Sequence, residues 1–228
     1  MKREGEWTKP VDQLHVSHDL PPGAANVNLE GHRVASVAGG FGKMWQKKYR
    51  IELPGADVAP ADVIRAWREH FRFFWPDGAK FYGPSNPVAP GDVALINITM
   101  PGGIKMSTGV LVLYADDESF SFITPEGHAF NGMITFSARS EGDVTAVQVD
   151  LFIRAQDPIS ELFMAFGGHR KEDNHWKHTL GSVARYFGIE AMPAATRVLV
   201  DRRRQWKHFR NIKTSAAFRP VIRRARGG

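Results

Sequence analysis

The chain contains no cysteine, which excludes a disulfide framework and thiolate chemistry of any kind. No apolar run approaches the ~20 residues that a membrane-spanning helix needs. The opening residues MKREGEWTKPVDQ hold no apolar segment of the sort a secretory leader carries, so a cytoplasmic location is expected. The short motifs that announce a chemistry are missing too: there is no GxSxG, no P-loop and no HExxH. GGFG (39–42) and MPGG (100–103) are lone glycine turns, weak as phosphate cradles. Surplus positive charge is scarce outside one segment. The net charge is +6, yet residues 201–228 hold ten Lys/Arg against one Asp, a net of +9, which leaves the first 200 residues at −3.

What is present is core material. Of 228 residues, 43% are hydrophobic, with 15 Phe and 6 Trp, enough for one large domain plus extensions. WQKKYRIEL (45–53) alternates Trp45, Tyr49, Ile51 and Leu53 with Lys48, Arg50 and Glu52. This predicts a strand with one dry face, although Lys47 interrupts the pattern. PADVIRAWREHFRFFW (60–75) starts on a helix-compatible proline and sets Val63, Trp67, Phe71 and Phe74 at helical spacing. Residues 76–91 read as a long loop carrying Phe81 and Tyr82. Five β-type runs follow, 92–100, 104–115, 119–124, 129–139 and 144–154, separated by PGG, ADDE, PEGH and SEGD. Connections this short predict an antiparallel meander. In the last run Val147, Val149, Leu151 and Ile153 share one face and Gln148, Asp150 and Arg154 the other.

DPISELFMAF (157–166) begins a helical segment that Gly167 and Gly168 should kink or break. Residues 169–188 resume it, with Trp176, Leu180, Val183 and Phe187 as an apolar stripe and Gly188 at the cap position. A curved sheet with one dry face needs a cover, and about 20 helical residues spanning ~30 Å provide it. The expected class is therefore α+β with a helix-grip architecture: a curved antiparallel sheet of about six or seven strands around a long C-terminal helix. Residues 1–39 form an N-terminal arm, 40–190 the domain, and 191–228 a basic, partly helical extension.

TGVLVLYADDESFSFITPEGHAFNGMITFSA (108–138), VDLFIRAQDP (149–158) and EDNHWKHTLGSVARYFG (172–188) resemble the SRPBCC superfamily, which includes START lipid-transfer domains, pollen-allergen-like proteins and polyketide cyclases. GFGKMWQKKYRIEL (40–53) and the DRRRQW…NI…AAFR tail are similar to a bacterial, more narrowly actinobacterial, subgroup. The resemblance covers about residues 40–190. It implies the helix-grip fold and brings no shared catalytic motif, because this architecture is kept while the pocket varies.

A sheet gripping one helix encloses a cavity unless large side chains fill it. Trp67, Phe71, Phe74, Phe81, Tyr82, Tyr114, Phe122, Phe130, Phe136, Phe163, Phe166 and Trp176 are the candidates either to line a ligand pocket of roughly 300–1,000 Å³ or to pack the core. His128 and Tyr114 are the candidate proton handlers of an enzyme on this scaffold, a neutral histidine being suited to general base work near pH 7. His169 and Asp173 are spaced i,i+4 and His175 and His178 i,i+3, spacings that can hold a metal. The two pairs point in different directions and lack a third ligand, so a solvated helix face is expected, with no metal and no cofactor.

In the tail Trp206, Phe209 and Ile212 fall at spacing three among cations. Three roles compete: docking on this domain or across a homodimer, nucleic-acid contact through residues 202–226, or contact of the same residues with an anionic membrane. The functional expectation is binding of a small hydrophobic molecule (a lipid, polyketide or aromatic metabolite). Its rivals are a cyclase or dehydratase on the same fold and a binding module acting through its tail.

Overall fold

The computed structural model describes residues 5–16, 29–54, 58–83, 87–99, 105–190 and 194–215. The fold is α+β, a curved antiparallel sheet closed by a long helix. Seven strands form the grip: β2 (Met44–Pro54), β3 (Ala79–Tyr82), β4 (Val93–Thr99), β5 (Lys105–Ala115), β6 (Ser119–Ile123), β7 (Phe130–Glu141) and β8 (Val144–Ala155). Two more join them, the two-residue β1 (Glu6–Trp7) beside the end of β5 and β9 (Ala195–Asp201) beside β2. The order is β3-β4-β5-β6-β7-β8-β2-β9, antiparallel throughout. The meander runs from β3 to β8, and β2 returns to pair with β8 along its full length. A register shift between Val112 and Tyr114 bends β5, one source of the curvature.

Among the described residues three α-helices lie against the sheet: α1 (Pro60–Glu69), α2 (Pro158–Phe163) and α3 (His169–Tyr186). The dry parity of β2 and β8 meets α1 and α3. Tyr49, Ile51, Val147, Val149 and Leu151 share one buried cluster with Val63, Ile64 and Trp67 of α1 and Trp176, Leu180 and Val183 of α3. Helix α1 is shorter than its sequence stripe predicts. The chain leaves α-geometry at His70, and Phe71–Phe74 form a 3₁₀ turn. The 3₁₀ period of three places Phe71 and Phe74 on one side, and both are buried. Trp67, Phe71, Phe81, Phe120, Phe122 and Phe136 then make a ring cluster with centroid separations between 4.7 and 6.0 Å. Each such buried ring contributes about 2–3 kcal/mol of apolar transfer.

The glycine pair breaks the final helix as its composition requires. Helix α2 is capped by Asp157, whose Oδ1 accepts from the Ile159 and Ser160 amides at 2.8 and 3.0 Å. Residues 164–168 form a wider turn in which Gly167 takes φ +103°, a conformation only glycine adopts cheaply. The turn throws Phe166 outward, 82% exposed.

Two parts of the fold lie beyond the sequence expectation. The stretch read as a loop at 76–91 contains β3, too short and glycine-flanked to show a periodicity. The N-terminal arm builds a second core: Leu14 and Leu29 pack with Val93, Leu95 and Leu111, and with the partly buried Tyr82. Leu29 comes so close that a Cβ on Gly109 would lie 2.2 Å from its Cδ2 and 2.3 Å from the Ala94 carbonyl oxygen.

The basic extension is a strand before it is a helix. After β9 comes a 3₁₀ helix, Trp206–Thr214, whose three-residue period matches the spacing of Trp206, Phe209 and Ile212. It docks within the chain. Trp206 and Phe209 meet Phe41 edge-on at 5.3 and 6.2 Å, and Asn211 Nδ2 donates to the Gly39 and Gln156 carbonyls at 2.8 and 3.0 Å. Beneath it lies Arg154, placed on the wet face by parity but only 4% exposed. Its Nη1 donates to the Gly42 and Arg203 carbonyls, the latter at 2.9 Å. Residues 216–228 lie outside the described residues.

Candidate functional site

The aromatic cluster fills one part of the grip and leaves another open. Beneath the first turns of α3 lies a cavity of about 590 Å³, partly open to solvent. Its floor is the sheet, with Ile96, Ile98, Val110, Phe122, Ile134, Leu151 and Ile153. Gly168, at the end of the turn before α3, and Glu172, His175 and Trp176 of α3 cover it. The Trp75–Ala79 turn, the His128–Phe130 turn, Phe163 and Met164 make its sides. Lys171, Asn174 and His178, all exposed, reach it from the solvent side. The walls are mostly apolar with a few convergent polar groups, the composition of a small-molecule site.

Of those polar groups His128 is buried and His175 half-buried. His128 is 8% exposed, and its Nδ1 sits 3.0 Å from the Phe130 amide nitrogen. Burial pushes its pKa down to about 4, against the opposing effect of the Phe130 backbone. His175 is lowered to about 4, first by burial and then by His178 and Lys171. Its ring lies against Trp75 and Trp176, at 4.8 and 4.6 Å. Both histidines are therefore neutral at pH 7.

At the Glu172 wall is a buried charge cluster. Lys47 shares the inward parity of β2 and is only 2% exposed. Its Nζ donates to Glu172 Oε2 at 2.9 Å and to Asp173 Oδ1 at 2.8 Å. Tyr49 also donates its hydroxyl to Asp173 Oδ1. Burial raises the Asp173 pKa, but the bonds from Lys47 and Tyr49 outweigh it and hold the carboxyl below its usual value. Burial, then the Glu172 and Asp173 charges, push the Tyr49 phenol far up, so it stays a donor. The His169 ring packs tilted against Trp45, centroids 3.9 Å apart, with Nδ1 3.6 Å from Glu172 Oε2.

Of the aromatic residues singled out from the sequence, Phe122, Phe130, Phe163 and Trp176 line the cavity. Trp67, Phe71, Phe74, Phe81 and Phe136 do not, because they are consumed in the packed core. Tyr82 packs with the N-terminal arm instead. Tyr114 is held away from the cavity: its hydroxyl donates to Asp116 at 2.7 Å and its ring packs on Trp7 at 4.6 Å, so it has no proton to handle there. Phe166 points to solvent for the reason given above. His128 is at the cavity. The two helix pairs separate, His175 facing inward, His178 the rim, and His169 and Asp173 the Trp45–Lys47–Tyr49 side of β2.

Sequence reasoning missed Lys47, Glu172 and Trp75 as site residues. The signal for Lys47 was its break in a dry parity. Glu172 and Trp75 gave none.

No family model and no curated protein matches the chain. Among solved structures it is similar to TTHA0849 from Thermus thermophilus, with TM-score 0.49 at 16% identity over 61% of this chain and 94% of that one. It is also similar to the KanY protein (ms6282), with TM-score 0.47 at 11% identity over 62% and 95%. A third is Ara h 8.0201, with TM-score 0.43 at 10% identity over 62% and 97%.

Proposed function

We propose that this protein binds a small, largely apolar molecule, a lipid, polyketide-like or aromatic compound, in the cavity beneath α3. One observation carries the reading: apolar space of about 590 Å³, partly open, lies beside a tightly packed aromatic core. Unfilled apolar volume destabilises a fold, so a chain able to pack its rings that closely gains from an occupant. The resemblance of residues 40–190 to the SRPBCC superfamily supports the same reading. Native mass spectrometry of the purified protein tests it, with Ile134→Trp as the variant that fills the cavity from the sheet floor. A co-purified or added apolar compound retained by wild type and lost in the variant supports the proposal. Wild type that retains no apolar compound overturns it.

A second reading concerns the basic extension. Trp206 and Phe209 are 68% and 49% exposed. They stand among the exposed Arg202, Lys207, Arg210 and Lys213, with no acidic residue from 202 to 215. Exposed aromatic tips in a cationic surround suit an anionic bilayer surface, where rings enter the interface and cations meet headgroups. Salt-sensitive co-sedimentation with phosphatidylglycerol vesicles, weakened by Trp206→Ala, is expected. Equal binding to phosphatidylcholine vesicles, or binding only to DNA or RNA, would refute it.

A further inference from the structure

Three polar atoms of cavity-lining residues are buried without a partner among the described residues: the Trp75 indole N–H, a donor, and Glu172 Oε1 and His175 Nε2. Glu172 Oε1 is buried and unbonded, although the other oxygen of the same carboxylate pairs with Lys47 at 2.9 Å. The Glu172 side chain is 8% exposed. Three residues on, His175 Nε2 is buried and unbonded as well. Residues spaced i,i+3 share a helix face, and both line the cavity. Among the described residues Lys47 is the ammonium ion-paired with both Glu172 and Asp173, and Lys177 adds its attraction at Asp173, so neither meets Glu172 Oε1. A buried acceptor left unmet is strongly unfavourable.

We propose that Glu172, with His175 beside it, seats a hydrogen-bond-donating head group, foremost a primary ammonium, on an otherwise apolar ligand. The inference rests on the pocket reading above and narrows its ligand class. An ammonium carries three N–H donors and no acceptor. With a small side-chain rotation that turns both atoms to the cavity, one N–H reaches Glu172 Oε1, and a second reaches His175 Nε2 in the Nδ1–H tautomer. The imidazole is neutral, so it does not repel the cation. A hydroxyl head satisfies one acceptor only, and a carboxylate head meets like charge. The competing cation is Lys171, which lies at the exposed rim with its ammonium directed to the Thr99 carbonyl.

The probes are three compounds with one apolar body: 2-naphthylmethylamine, 2-naphthylmethanol and 2-naphthoate, titrated calorimetrically into the full chain at pH 7. The amine is expected to bind about tenfold or more tighter than the alcohol, as for a hydrogen bond to a charged group, and the naphthoate weakest. Glu172→Gln should abolish most of the preference for the amine over the alcohol, its fold checked by circular dichroism. The wild-type ranking needs no variant, so a misfolded Glu172→Gln does not rescue the idea. Equal affinities for the three, or preference for naphthoate, overturn the head-group assignment and leave the pocket standing. Binding of none of them removes the pocket reading and this inference together.

Discussion

Replacing Lys47 by Met should destabilise the fold by about 3 kcal/mol. The methionine keeps the apolar stem and removes the ammonium. What remains is Glu172, 8% exposed, and Asp173, 33% exposed, without the ammonium that bonds both, with Lys177 still acting on Asp173. Removing one partner of a buried pair typically costs about 3–5 kcal/mol. The lower end applies because Asp173 reaches solvent and retains the Tyr49 hydroxyl. For a chain of this size that corresponds to a drop of roughly 6–12 °C in Tm. Urea unfolding with an unchanged m-value isolates the stability term. The triple variant Lys47→Met, Glu172→Gln, Asp173→Asn should recover much of the loss, because it leaves no unpaired charge. A single variant within about 0.5 kcal/mol of wild type, or a triple variant no better than the single, would show that the cluster does not hold β2 to α3 as described.

Acid should weaken the fold through His128 and His175. Their folded pKa values of about 4 lie below the ordinary 6.5, so the unfolded chain takes up more protons between those values. Stability is then full above pH 6.5 and falls as pH drops to about 4, by roughly 1–3 kcal/mol per histidine, and a His128→Gln variant should flatten the profile measured by urea unfolding. Asp157→Ala removes the cap of α2 and three hydrogen bonds, two from backbone amides and one from the Ser160 hydroxyl. It should lower stability by about 1–2 kcal/mol, read as the same shift in urea midpoint.

The strands of the meander were legible because alternating burial writes a two-residue period, and the short polar breaks gave the antiparallel order. The break before α3 was legible because two glycines leave little alternative. β3 was hidden by its four-residue length. β9 was hidden for a different reason: all of ATRVLV is exposed, so no inside–outside alternation marks it. The cavity wall was only partly legible. A list of aromatic residues cannot say which ones the core consumes, since Phe122 and Phe136 come from neighbouring strands and only Phe122 reaches the cavity. Lys47 announced itself as a misfit, but its partners lie 125 and 126 residues away in sequence, and no local pattern joins them.

The strand contributed by the extension changes what a shortened chain would present. Without Ala195–Asp201, the Met44–Arg50 stretch of β2 loses its outer neighbour and offers a row of unanswered backbone amides and carbonyls. Trimming the basic end ahead of Ala195 to improve handling would therefore shift the outer edge of the sheet from the 7-residue β9 to the 11-residue β2, a longer template for chain-to-chain pairing, whereas a cut after Asp201 would leave β2 paired.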